Sequence, residues 1–113
     1  MHVQANDGLY RVSFSHPEVE VYLGSAIDPM GENTIEVYTS TRSTECKIRK
    51  VSSEKDRDGV VVAEAKAVCS VHDNFQRRVG RKISFKRAVE KLAPDNKEFR
   101  KTFWESYINN IRV

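Results

Sequence analysis

Two cysteines, three prolines and five glycines in 113 residues leave little material for a stapled, collagenous or linker-rich chain. Secreted domains of this size usually carry at least four cysteines, so Cys46 and Cys69 are expected to be reduced strand residues acting as small hydrophobes. The three histidines (His2, His16, His72) form no metal-ligand spacing with each other or with the cysteines, which predicts no structural metal and no cofactor. The longest apolar run, residues 60–63, falls far short of the roughly 18 residues a bilayer span needs. The start of the chain has neither a basic n-region nor an apolar h-region, so no signal or transit peptide is expected. No nucleophile elbow, Walker loop or G-x-G-x-x-G segment is present. These absences predict one soluble intracellular domain over residues 1–113, and composition alone says nothing about its job.

Charge is the first positive signal. Residues 1–59 carry a net −3 and residues 60–113 a net +6. Within the second half, Arg77, Arg78, Arg81, Lys82, Lys86, Arg87 and Lys91 face a single acid, Glu90, over residues 77–91. Such self-repulsion is either a solvated face or a lure for an anionic partner.

Alternation of apolar and polar residues predicts strands at Tyr10–Ser15, Glu18–Leu23, Thr34–Thr39, Cys46–Val51 and Val60–Cys69. His16-Pro17 separates the first two, and Asp28-Pro29-Met30-Gly31 suits a type I turn. The all-polar stretch 52–59 ends in Asp-Gly and reads as an exposed hairpin loop. Ala63, Ala65 and Ala67 line one face of the last strand, where small side chains let a helix come close. Ser70-Val71-His72-Asp73 resembles a capping box, predicting a helix from Ser70 to about Leu92, stopped before Pro94. A second capping pattern at Asp95–Glu98 opens a last helix with Phe99, Phe103 and Tyr107 four residues apart, beside Trp104, Ile108 and Ile111. That stripe suits a core or an oligomer interface. The expected fold is α+β: residues 1–69 mostly β in an antiparallel sheet of about five strands, residues 70–113 two helices packed on it.

The basic helix is irregular. Its apolar stripe swings from Val71, Phe75, Val79 and Ile83 to Phe85, Ala88, Val89 and Leu92, as if it packed on the sheet first and on the last helix later. Gly80 costs about 1 kcal/mol against alanine in mid-helix. It marks close packing on another helix or a phosphate resting between arginines.

The run 69–88, read as C-S-x-x-D-x-F, then R-x-x-G-R-x-I, then R-A, is similar to a pattern of small phage-encoded proteins. With the order of strands followed by two helices, it resembles the phage anti-defence sponges that inhibit Thoeris immunity. The resemblance implies a symmetric homo-oligomer in the cytoplasm of an infected bacterial host. It also implies sequestration, without cleavage, of a small nucleotide signal such as a cyclic ADP-ribose isomer or a cyclic oligonucleotide. Phosphates would then meet Arg77, Arg78, Arg81, Lys82 and Arg87, with Asn74 and Phe75 holding ribose and base.

Two other classes stay open. A DNA- or RNA-binding module could use the basic helix 77–91, although no helix-turn-helix, zinc-finger or RNP pattern accompanies it. A nuclease would rest on Glu64-Ala65-Lys66, an E-x-K element with Asp56 or Asp58 as partner acid, to hold a magnesium ion. The plainer reading puts Glu64 and Lys66 on a solvated strand face. The protein is expected to oligomerise through the helix carrying Phe99–Ile111, and no membrane partner is expected.

Overall fold

Alternating side chains and turn residues build five antiparallel strands, and the two amphipathic segments at the end of the chain close over one face of the sheet. The structure, a computed structural model, describes residues 1–28, 30–31, 33–70 and 74–111. The strands are β1 (His2–Ala5), β2 (Gly8–Ser15), β3 (Glu18–Ile27), β4 (Thr34–Val51) and β5 (Val60–Val68), followed by α1 (Arg77–Leu92) and α2 (Lys97–Ile111). This is the α+β architecture expected from the sequence.

The set of five strands differs from the expected one. β4 is a single strand of 18 residues where two were read, and β1 was not foreseen. The polar middle of β4 breaks the apolar alternation, yet it is buried and satisfied. Ser43 donates from both its backbone N–H and its hydroxyl to the Pro17 carbonyl, at 2.9 and 3.1 Å. Thr44 Oγ1 lies 3.0 Å from His16 Nδ1. Hydrophobic patterning is blind to a strand whose core residues are hydroxyls.

β4 organises everything else. Its second half pairs with β2 on one side (Cys46 opposite Phe14) and with β5 on the other (Cys46 opposite Ala65). Its first half pairs with β3 alone, so residues 18–42 form a two-stranded arm. The molecule measures 64 × 29 × 27 Å, and its radius of gyration of 18.6 Å exceeds the roughly 13 Å of a compact chain this long. At the tip, Gly31 N–H donates to the Asp28 carbonyl at 2.7 Å, closing the expected turn; Pro29 lies outside the described residues.

The core sits under the helices. Ala63, Ala65 and Ala67 are buried beneath α1, as their small size suggests. Phe85, Ala88 and Val89 of α1 and Phe103 and Tyr107 of α2 meet Val3, Tyr10, Val12, Cys46 and Ile48. Phe85 stacks on Tyr107 at 4.7 Å and meets Trp104 edge-on at 4.9 Å. Burying each of these rings stabilises the fold by about 1.5–3 kcal/mol. The aromatic stripe of α2 is therefore occupied by the chain's own sheet, leaving only Ile108 and Ile111 of the stripe exposed.

Helix α1 starts later than the sequence suggests. Its N-cap is Gln76, with no side-chain cap, and residues 74–76 are not helical, so Ser70 does not cap it. Val71, His72 and Asp73 of the expected capping box lie outside the described residues. Phe75 instead packs edge-on against the His16 ring at 5.6 Å. Val79 and Ile83, placed on the sheet by the swinging stripe, are 49% and 38% exposed. The cap of α2 is Asn96 rather than Asp95, its Oδ1 accepting from Phe99 N–H at 3.0 Å.

Candidate functional site

The first two turns of α1 carry Arg77, Arg78 and Arg81 on the stripe that turns apolar at Phe85. Four-residue spacing puts Arg77, Arg81 and Phe85 in one row. The row runs off the core and over the end of β2, so the arginines lie against Phe14 and His16. The Arg81 guanidinium sits 5.8 Å from the Phe14 ring centroid, a cation–π contact. Arg42 of β4 donates to the His16 carbonyl at 3.1 Å. Three arginines from two elements thus converge around one imidazole.

Electrostatics record that convergence. Burial lowers the His16 pKa below 6.5, and the charges of Arg81, Arg77 and Arg42 lower it further. Burial raises the Tyr107 pKa while Arg81 and Arg78 pull against it. His16 Nε2 is buried without a hydrogen-bond partner among the described residues. No acid among them pairs with Arg77, Arg78, Arg81 or Lys82; the ion pairs are Arg42–Glu18, Lys50–Asp7 and Lys66–Glu45.

The helix start adds to the field. α1 has no acidic residue in its first turn, and its first N–H groups lack intrahelical acceptors. Beside it opens a cleft of about 570 Å³ walled by Ala67, Val68, Asn74, Phe75, Val79 and Ile83. Asn74 and Phe75 therefore stand between an apolar cleft and a cationic helix start.

The remaining sequence candidates separate from this group. Arg87 donates to the Lys66 carbonyl at 2.8 Å, and Lys91 to the Glu64 carbonyl at 3.1 Å. Both reach β5, on the opposite side of β4 from the β2 residues under Arg81. Lys82 is exposed on α1. Gly80 faces the Thr44 side chain, so close approach of the helix to the sheet, rather than packing on a second helix, explains it.

His16, Phe14 and Arg42 were not legible as site residues. His16-Pro17 reads as a break between strands, and only the pairing of β2 with β4 brings it under α1.

The E-x-K element is used otherwise. Lys66 pairs with Glu45 at 3.4 Å. The Asp56 carboxylate accepts from Ser52 N–H at 3.0 Å and from Asp58 N–H at 3.0 Å, and these bonds lower its pKa. Among the described residues, no group of three His, Cys, Asp or Glu side chains could hold a metal ion. No helix is long and apolar enough to cross a membrane.

Comparison with protein-family models, with curated proteins and with solved structures finds no match to this chain.

Proposed function

We propose that the protein binds and sequesters a small anionic nucleotide without cleaving it, its phosphates at the start of α1 and its base in the neighbouring cleft. The observation that carries this reading is an uncapped helix start, with no acid in its first turn, where Gln76, Asn74 and Phe75 line an apolar cleft; Arg77, Arg78 and Arg81 follow on the same two turns without lining it. Helix N-termini favour anions, and arginine forks match phosphate oxygens in pairs. The cleft volume falls in the roughly 300–1,000 Å³ range of small-molecule sites. Phe75 supplies a ring face for a base, and Asn74 an amide for ribose or base edges. With the resemblance of residues 69–88 to phage anti-defence sponges, the ligand class is a cyclic ADP-ribose isomer or cyclic oligonucleotide used as an immune signal.

Binding of DNA or RNA along α1 fits less well. The helix is packed along one face, and two of its cations are tied to β5. Residues 18–41 of the arm carry five acids and no Lys or Arg, and would repel a polyanion.

Native mass spectrometry with a panel of cyclic nucleotides, cyclic ADP-ribose isomers and a short duplex tests the reading. One nucleotide per site, recovered unmodified, is the expected result. Arg77→Ala with Arg81→Ala should weaken binding at least ~100-fold through lost charge-assisted hydrogen bonds, without loss of folding. Binding of the duplex alone, lost as salt rises, would replace the nucleotide by nucleic acid.

A further inference from the structure

His16 carries an unmet hydrogen bond. Its Nδ1 lies 3.0 Å from Thr44 Oγ1, whereas Nε2 is buried without a partner among the described residues. A buried polar nitrogen left unpaired is costly, and folded chains keep few of them. The groups around the ring narrow what could pair with it. Arg42 of β4 and Arg77 and Arg81 of α1 bear on the imidazole, and a guanidinium has donors but no acceptor. Glu18 of β3 is already ion-paired with Arg42 at 3.7 Å. Gly80 lies against the Thr44 side chain, so the hydroxyl that meets Nδ1 is held between helix and sheet.

Phe75 joins this corner to the cleft. Its ring packs edge-on against His16 at 5.6 Å and also lines the cleft of about 570 Å³. The arginines do not line that cleft, so a ligand with its base there meets them only on the far side of Phe75.

We propose that His16 belongs to the anion site: a phosphate oxygen held by Arg42, Arg77 and Arg81 accepts from Nε2, and the imidazole takes up a proton as the anion binds. An imidazolium donates from both nitrogens. Thr44 Oγ1 accepts from one, and beside three guanidinium groups the other is left for an anion. Charge balance supplies the proton. Without an anion, burial and the three cations hold the ring neutral, and an anion cancels part of that field. The bound form then holds more protons than the free form. Affinity therefore rises as pH falls, by at most about tenfold per pH unit, and levels off below the depressed pKa of the free protein. That the anion belongs to a nucleotide rests on the function proposed above; that an oxyanion binds at His16 rests on the geometry around Nε2.

Sulfate is the probe, because it stays a dianion across the neutral range and its own titration cannot mimic the effect. At constant ionic strength its affinity should be at least ~5-fold higher at about pH 5.5 than at about pH 7.5, and saturating sulfate should raise the NMR midpoint of the His16 imidazole by about one pH unit. His16→Gln keeps a side-chain donor and removes the titration. It should hold sulfate at about pH 7.5 within roughly threefold of wild type and change less than about twofold with pH. Calorimetry of the wild-type protein in two buffers of different ionisation enthalpy reads the proton without any variant, and should find uptake on binding. Affinity that ignores pH, a His16 midpoint that sulfate does not move, or a pH dependence that persists in His16→Gln would overturn the proposal. So would sulfate that fails to bind. Cyclic nucleotides that fail to bind where sulfate binds with proton uptake would remove the nucleotide and leave the anion site standing. Nucleotides that bind without moving the His16 midpoint would do the reverse.

Discussion

Gly80 of α1 and Thr44 of β4 meet so closely that a Cβ on the glycine would lie 3.0 Å from the threonine Cβ and closer still to its hydroxyl oxygen. The contact sets the height of the helix above the sheet. It also fixes Thr44, whose hydroxyl holds His16 Nδ1 at 3.0 Å beneath the arginines.

Gly80→Ala is therefore expected to destabilise the protein by about 1–2 kcal/mol, the strain of overpacking outweighing the helix propensity gained. A melting temperature lower by about 5–10 °C would follow. Adding Thr44→Ala should recover part of that loss, giving a favourable coupling in a double-mutant cycle. A Gly80→Ala variant more stable than wild type would show that the contact does not constrain the helix.

His16 should titrate below pH 6.5, because burial and then Arg81, Arg77 and Arg42 disfavour its charged form. The folded-state pKa is depressed relative to the unfolded one. Its contribution to stability is thus fully present above pH 6.5 and is lost as pH falls through the depressed value. NMR titration of the imidazole gives the midpoint, and pyrophosphate bound at the arginines should raise it. A midpoint at or above 6.5 without ligand would mean that the three guanidinium groups do not act on the ring.

Arg87→Ala with Lys91→Ala should leave nucleotide affinity within twofold of wild type and cost no more than about 1 kcal/mol, since both side chains are exposed. The change should appear as association. Removing these donors uncovers the Lys66 and Glu64 carbonyls that they cover along β5, and an uncovered strand edge recruits other strands. Light scattering against concentration measures it. Loss of nucleotide binding without association would return Arg87 to the ligand.

Local signals determined much of the fold. Period-two alternation in β2 and β5, the row of Ala63, Ala65 and Ala67, and the four-residue spacing of Phe99, Phe103 and Tyr107 are all recorded in neighbouring residues, because each element must bury one face. The excess of cations over residues 77–91 was equally visible. Tertiary structure decided what those cations do. Arg81 and Arg87 are six residues apart in sequence, yet one lies over Phe14 and the other on the backbone of β5, because the helix rotates them to opposite sides of β4. Only strand pairing could place His16 and Arg42 under Arg77, since their partners are remote in sequence. The single long β4 was equally hidden, its buried middle being held by hydrogen bonds from Ser43 and Thr44 rather than by apolar side chains. The start of α1 was misjudged for a related reason: a capping pattern at Ser70 states a local preference, whereas Phe75 stays outside the helix and packs on the His16 ring.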